Sequence, residues 1–134
     1  MFARISWTRL LPQTPIEIGV AHFRDQGLPA LKARDGFMGA VLIANRDTAE
    51  GIIGTYWSSL NALNASEATG AAGRDQSTRS VGSQLLDIDR FELVLQDRAG
   101  PVQVGTFVRR NDAYVPVERV DDVLAVVRDR AIPA

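Results

Sequence analysis

The chain has 134 residues, of which 46% are hydrophobic and 23% are charged, and its formal net charge is −1. That balance excludes a disordered chain, and the near-neutral charge gives no electrostatic footprint for nucleic acid or an anionic membrane surface. The absence of cysteine excludes disulfides, thiolate metal sites and cysteine nucleophiles. We therefore expect residues 1–134 to form a single domain.

The first ten residues, MFARISWTRL, lack the charged segment and the apolar stretch of a signal peptide. No apolar run approaches the roughly 20 residues that are needed to cross a bilayer. We expect a cytoplasmic protein with neither nucleic acid nor membrane as a partner.

Residues 2–10, FARISWTRL, alternate between apolar and polar side chains. This pattern predicts a strand whose apolar face carries Ala3, Ile5 and Trp7.

A helix is expected after this strand. Thr14 and Glu17 have the spacing of a capping box at its start, and Gly36 suits its C-terminal end. Gly27 and Pro29 interrupt the apolar pattern between them and predict a kink.

The next segments predict a hairpin and a second helix. Residues 37–46 and the stretch IIGTYWS read as two antiparallel strands around the turn DTAEG. Ser58 or Ser59 can cap the following helix, which Gly70 and Gly73 should weaken, with a frayed end and loop after them.

Three elements are expected after this helix: a strand over 85–97, a fifth strand over 102–110 (VQVGTFVRR) and an amphipathic C-terminal helix. The order is β-α-β-β-α-β plus an extra strand and helix. It predicts an α+β fold of the ferredoxin-like type, with an antiparallel sheet and both helices on one face. The core would cover about residues 2–97 and the C-terminal extension residues 98–134.

Residues 37–46 are apolar on both predicted faces. One face would carry Phe37, Val41 and Ile43, and the other Met38, Ala40, Leu42 and Ala44. Because the second face of such a sheet is normally polar, something must cover it. The C-terminal helix could do so within one chain, but we favour a homodimer in which two copies pack sheet against sheet.

The stretch GFMGAVLIANRDTAEGIIGTYWSSLNALNAS, residues 36–66, resembles the centre of antibiotic biosynthesis monooxygenase-like domains, which form dimeric α+β barrels. The shared pattern is Gly36 and Phe37 after the first helix, an apolar strand, an acidic hairpin turn and a strand that ends in Trp57. The likeness covers about residues 2–95 and implies the dimeric barrel fold.

That family includes cofactor-free oxygenases of polycyclic aromatic compounds and haem-degrading enzymes. The haem-degrading members resemble one another in an asparagine on strand one and a histidine in helix two. This sequence has Ile5, Ser6 and Trp7 where the asparagine would fall, and Arg74 near the place of the histidine. The comparison argues against a haem oxygenase.

Trp57 is the first candidate for the substrate pocket, because it stands at a strand end before a helix. Trp7 is a second candidate, since two tryptophans around a cavity would suit a flat aromatic ligand by stacking. The alternative is a shared core cluster. In either case the indole N–H of Trp57 needs a hydrogen-bond partner.

His22 is the only histidine and is the candidate catalytic base, because imidazole exchanges protons near neutral pH. Phe23 beside it is a further candidate pocket residue. The alternative is a structural or surface histidine. We expect no metal site and no cofactor, since no spacing of His, Asp and Glu in the sequence resembles a ligand set.

Two functions remain open. The first is a cofactor-independent monooxygenase-like enzyme that acts on a small aromatic or polyketide-like substrate. The second is a non-catalytic protein of the same fold that binds a small ligand or serves in assembly.

Overall fold

The computed structural model describes residues 1–131. The chain divides into two compact units, Met1–Leu93 and a second unit that begins at Val94. The elements of the first unit are β1 (Phe2–Leu10), α1 (Ile16–His22), α2 (Leu28–Lys32), β2 (Phe37–Asn45), β3 (Glu50–Trp57), α3 (Leu60–Ser80) and β4 (Ser83–Glu92). The second unit contains α4 (Val120–Val126), which follows a 3₁₀ turn and leads into a π-helical turn.

The four strands of the first unit form one sheet in the order β2-β3-β1-β4, and every neighbouring pair is antiparallel. This arrangement confirms the predicted α+β fold with a ferredoxin-like β-α-β-β-α-β core.

The residues of β1 show which face of the sheet meets the helical segments of the first unit. Arg4, Ser6 and Thr8 line a cavity between the sheet and the helical segments of the unit. Because successive residues of a strand point to opposite faces, Ile5 and Trp7 lie on the other side. We call the side that bears Arg4 the inner face and the side that bears Trp7 the outer face. The apolar side of β1 is therefore turned away from the helical segments of the first unit.

A β-bulge in β2 changes the predicted faces of that strand. The register shifts between Phe37, which pairs with Trp57, and Gly39, which pairs with Tyr56. Phe37 consequently meets Trp57 on the inner face, with ring centroids 5.6 Å apart. Val41 lies on the outer face, beside Gly54. The prediction that Phe37 and Val41 share a face was wrong, because the extra residue reverses the alternation.

The first helix is irregular where the sequence predicted a kink. A π-helical turn, Phe23–Gly27, joins α1 to α2, and the backbone N–H of Leu28 donates to the carbonyl of Phe23. Pro29 provides the reason, since it has no N–H to donate and its ring displaces the preceding carbonyls of a regular helix.

The predicted capping box at the start of α1 was wrong. Pro15 occupies the N-cap position, and no side chain caps the helix there. Glu17 instead accepts a hydrogen bond from Arg46 Nη1 at 2.8 Å, a partner that is distant in sequence.

Helix α3 begins as predicted and ends later than predicted. Ser59 caps it, because the Ser59 hydroxyl accepts a hydrogen bond from the backbone N–H of Ala62 at 3.1 Å. The helix continues through Gly70 and Gly73 to Ser80. Hydrogen bonds from Arg34 to Thr69 anchor its middle to the preceding segment, which offsets the weak helix propensity of glycine.

The predicted fifth strand is absent. Residues 94–116 contain no helix or strand in the structure. A turn at Gly105, where φ is +93°, interrupts the expected strand over 102–110, and the Thr106 N–H donates to the Gln103 carbonyl at 3.1 Å. The C-terminal helix is present as α4 and its flanking turns. Strand β4 ends at Glu92 rather than at residue 97, since its pairing with β1 ends at Phe2.

No helix within residues 1–131 combines the length and the apolar composition that a membrane span requires. The cytoplasmic location stays a prediction.

Candidate functional site

A cavity of about 760 Å³ lies in the first unit between the inner face of the sheet and the helical segments. Strands β1 and β3 supply polar side chains, including Arg4, Ser6 and Thr55, to one wall. Apolar side chains such as Leu42 and Ile53 complete that wall. The volume falls in the range of pockets that hold small organic ligands, about 300–1,000 Å³.

Arg4 is the most deeply placed cation of the cavity, and it is only 4% exposed. Its Nη1 donates to Ser66 Oγ at 3.0 Å and to Glu67 Oε2 at 2.6 Å, which ties β1 to α3. Burial lowers the pKa of the Arg4 guanidinium, the hydrogen bond to Glu67 acts against this, and the nearby charge of Arg74 lowers it further. The group stays protonated, because an arginine side chain keeps its proton in proteins.

Glu67 joins Arg4 to a second cavity residue. Its Oε1 accepts a hydrogen bond from Arg74 Nη2 at 2.5 Å, while its Oε2 is bound by Arg4. Partial burial would raise the pKa of Glu67, but the hydrogen bond from Arg4 and the charge of Arg74 outweigh it and hold the pKa below its usual value. Glu67 is therefore ionised at neutral pH.

Trp57 lies behind the cavity wall. The indole is completely buried, and its Nε1 donates to Thr55 Oγ1 at 3.0 Å. The Arg4 guanidinium lies 5.5 Å from the centroid of the same ring. Trp57 itself is not among the residues that line the cavity. Trp57 contacts two residues that do line the cavity, Thr55 and Arg4.

Trp7 lies on the outer face of the sheet. Its ring meets Phe91 of β4 edge to face, with centroids 6.5 Å apart. The two tryptophans are therefore on opposite faces, and they form neither the shared stacking site nor the shared core cluster that the sequence suggested.

His22 and Phe23 both line the cavity, at the junction of α1 and the π-helical turn. Within the described chain, His22 Nε2 is buried and has no hydrogen-bond partner. The two carboxylates of its helix are engaged elsewhere, Glu17 by Arg46 and Asp25 by Arg24. The side chain is thus inside the candidate site without a carboxylate to orient it.

Sequence reasoning missed the arginines of the cavity: Arg4, Arg34 and Arg74. Arg4 belongs to the polar side of β1, and the alternation of the strand does not tell that this side faces a cavity. Arg34 and Arg74 are distant in sequence, and no spacing links them. Only the placement of α3 against the sheet and α2 brings the three charges to one cavity.

Among residues 1–131, no group of three or more His, Asp or Glu side chains is arranged to hold a metal ion.

No family model matches the chain. Two uncharacterised proteins of Mycobacterium tuberculosis (strain ATCC 25618 / H37Rv) are 27% and 28% identical to it over 118 residues, which is 88% of this chain. The chain spans about half the length of these relatives, 52% and 50% respectively.

Several solved structures share the fold. SnoaB, a cofactor-independent oxygenase from Streptomyces nogalater, is similar with a TM-score of 0.58 and 13% identity over 71% of this chain and 94% of its own. A monooxygenase from the gene ActVA-Orf6 of Streptomyces coelicolor, in complex with Nanaomycin D, has a TM-score of 0.54 and 15% identity, covering 75% and 92%. An MhuD variant with two manganese protoporphyrin IX molecules per active site has a TM-score of 0.56 and 19% identity, covering 74% and 100%.

These likenesses confirm the ferredoxin-like fold of a single subunit that the sequence resemblance implied, which is that of antibiotic biosynthesis monooxygenases, and the dimeric barrel stays a prediction. At such low identity they establish the fold alone, because one fold can carry many unrelated functions.

Proposed function

We propose that this protein is a cofactor-independent monooxygenase-like enzyme that binds a small aromatic or polyketide-like substrate in the inner cavity. The observation that carries the proposal is the cavity of about 760 Å³, which combines apolar walls with His22 and three arginines. The fold, which SnoaB shares, adds support, since SnoaB is a cofactor-independent oxygenase.

The proposed reaction converts the CH₂ group of an anthrone-like ring, which is conjugated with the ring carbonyl, into a ketone, with O₂ as the oxidant. His22 takes a proton from the CH₂ carbon, and the resulting carbanion is delocalised onto the oxygen of that carbonyl. O₂ accepts the electrons and forms the new C–O bond, and its second oxygen atom leaves as water. The balance is R₂CH₂ + O₂ → R₂CO + H₂O, so the substrate supplies every electron and no added reductant is required.

The arginines fit this chemistry because negative charge develops on the substrate. Fixed positive groups in a site that excludes water stabilise such a charge more than water does. Arg4 is buried and held in place by Ser66 and Glu67, which makes its charge preorganised. The π-helical turn beside His22 is a further supporting feature, since such turns are frequent at functional sites.

Oxygen uptake tests the proposal. An oxygen electrode would follow the purified protein with a panel of hydroxylated anthrones and related phenols. We expect uptake of one O₂ per ketone formed, and a loss of about 10²- to 10⁴-fold in kcat for His22→Gln, since glutamine cannot accept the proton. Arg46→Gln, outside the cavity, is the matched control and should keep the wild-type rate.

A binding measurement separates the two functional hypotheses. Trp7→Phe leaves Trp57 as the single tryptophan, one residue behind the cavity wall, so ligand binding should quench its fluorescence. Quenching without oxygen uptake by any compound of the panel would contradict catalysis and support the non-catalytic binding protein.

We also propose that the protein forms a homodimer through the outer face. Ile5, Trp7 and Val41 lie on this face, and Phe91 beside Trp7 is 47% exposed. The register also places Asp87 and Asp89 of β4 on this face, opposite Trp7 and Ile5, so its apolar part is the area over β1, β2 and β3 together with Phe91. Such an apolar area left in water is an aggregation hazard, and a second copy would bury it through a self-complementary two-fold contact. Sedimentation at low micromolar concentration should report a dimer, and a single subunit would contradict this part of the proposal.

A further inference from the structure

We propose that the ligand of the inner cavity carries a carboxylate group, and that Arg34 and Arg74 bind this group. The inference rests on the proposed function, because it concerns the same cavity. It narrows the substrate class from aromatic compounds in general to aromatic carboxylic acids.

The charges around the cavity do not balance. Arg4, Arg34 and Arg74 line it. Among the described residues, Glu67 is the one carboxylate that forms ion pairs with these arginines. Glu50 also lines the cavity, but it is paired with Arg9. Since Glu67 neutralises one positive charge at most, a net positive charge remains inside a partly buried site.

Arg34 has the donors to hold an anion. Its guanidinium lies over Gly70, with Nη1, Cζ and Nη2 all 3.7–3.9 Å from the place where a Cβ of that residue would be. It donates to the hydroxyl and the carbonyl of Thr69, which are neutral acceptors, and it forms no ion pair within residues 1–131. A guanidinium has five N–H donors, so several remain for a ligand.

Arg74 follows Gly70 by one helical turn, and the two residues therefore lie on the same face of α3. Its Nη2 is bound to Glu67, but its Nε is buried and has no hydrogen-bond partner among the described residues. A buried, unpaired N–H of this kind is uncommon, and either a ligand or a water molecule would have to accept a hydrogen bond from it.

A carboxylate provides both the negative charge that the cavity lacks and acceptors for the unused N–H donors of Arg34 and Arg74. It accepts paired hydrogen bonds from a guanidinium in a planar arrangement, and charge-assisted bonds of this kind are about twice as strong as neutral ones. The rest of the cavity suits an aromatic ring, since Phe23 and Leu31 line it from the helical side and Leu42 and Ile53 from the sheet.

A pair of isosteric probes tests the inference. 2-Naphthoate is an anion at pH 7.5, whereas 2-naphthamide has nearly the same shape and no charge. Isothermal titration of the full chain should show at least about tenfold tighter binding of the naphthoate, in keeping with the strength of hydrogen bonds to charged groups. The preference should shrink in 0.5 M NaCl.

The variants Arg34→Gln and Arg74→Gln should each remove most of this preference and leave naphthamide binding unchanged. Arg34→Lys should restore part of it, because lysine keeps the charge and loses the planar pair of donors. Arg46→Gln, which removes a charge outside the cavity, should behave as the wild type. Circular dichroism would establish that each variant is folded.

The outcomes are distinct. Equal binding of the two probes, or a preference that survives both glutamine variants, overturns the carboxylate inference and leaves the cavity as a ligand site. If neither probe binds the folded protein and no phenol of the oxygen-uptake panel does so, the inference and the proposed function fall together.

Discussion

Arg4 and Trp57 form a cation–π pair inside the first unit, with the guanidinium carbon 5.5 Å from the indole centroid. Arg4 comes from β1 and Trp57 from the end of β3, and both side chains are almost fully buried. The pair links the charged wall of the cavity to the aromatic residue that the sequence identified first. Trp57 is therefore a support for the cavity wall rather than a contact surface for a ligand.

The first prediction concerns this buried charge. Arg4→Met keeps an unbranched, largely apolar side chain but removes the donor to Ser66 Oγ and Glu67 Oε2, so that Glu67 is left with Arg74 alone. We expect the free energy of unfolding to fall by about 1–3 kcal/mol, the usual cost of a buried polar group that loses its partner. Urea denaturation followed by Trp57 fluorescence in a Trp7→Phe background measures it. Arg9→Gln, which breaks the exposed pair with Glu50, should cost no more than about 1 kcal/mol.

The second prediction concerns pH. The pKa of Glu67 is below its usual value, because the hydrogen bond from Arg4 and the charge of Arg74 outweigh the effect of burial. The folded protein thus binds fewer protons at this site than the unfolded chain. The stabilisation is present above the ordinary carboxyl pKa of about 4.3, and it is lost as pH falls through the lower pKa of the folded state.

Glu67→Gln should therefore be less stable than the wild type at pH 6, and this difference should shrink below pH 4. Urea titrations at several pH values measure it. Asp35→Asn, at an exposed carboxylate outside the network, is the matched control. A constant difference between Glu67→Gln and the wild type over this range would contradict the ionic role of Glu67.

The third prediction compares two glycines. Gly36 has φ +75°, and a Cβ there would lie 2.5 Å from the Cβ of Ala62, so Gly36→Ala should destabilise the protein by about 2 kcal/mol. Gly73 lies inside α3, where a Cβ would meet no atom within 4 Å. Gly73→Ala should stabilise the protein by about 0.5–1 kcal/mol, because alanine favours the helix. Thermal unfolding of both variants checks the opposite signs.

The fourth prediction uses the same open position to fill the cavity. Gly73 lines it, and Gly73→Leu places an isobutyl group into space that the ligand would occupy. Binding of 2-naphthoate should weaken by at least about tenfold, since overpacking costs about 1–3 kcal/mol. Gly73→Ala is the matched control and should bind nearly as the wild type. Unchanged affinity in the leucine variant would show that the probe binds elsewhere.

The fifth prediction concerns the outer face. Phe91→Lys places a charge beside Trp7, on an edge strand where the side chain is already 47% exposed, so the fold should survive. We expect the proposed dimer to dissociate, since an unpaired charge would be buried at the contact. Leu60→Lys, at an exposed position of α3, is the control and should sediment as the wild type does. Identical sedimentation of the wild type and Phe91→Lys would place any contact elsewhere.

Much of the fold could be read from the sequence because its signals are local. The alternation of residues 2–10 gave β1 with its observed bounds, and the serine before Leu60 gave the N-cap of α3. Two of the failures, the cap of α1 and the end of α3, share one cause, which is a partner distant in sequence. Glu17 binds Arg46 instead of capping α1. Arg34 donates a hydrogen bond to Thr69 in the part of α3 that was expected to fray.

The candidate site was less accessible to sequence reasoning. The sequence identifies His22 and Phe23 as candidates, and both line the cavity. Trp57 was a candidate to line the pocket, but it lies behind Thr55 and Arg4, which line the cavity in its place. The arginines were missed, because a charged residue in a sequence is normally assigned to solvent.

The sequence by itself determined that β1 has one apolar and one polar side, and that its elements follow the order of a ferredoxin-like fold. The tertiary structure alone decided that the polar side meets the helices. Alternation divides a strand into two faces but does not state which face the helices cover. Here the ion pair of Arg4 and Glu67 holds the charged side inward, and the apolar side bearing Trp7 lies on the opposite face of the sheet.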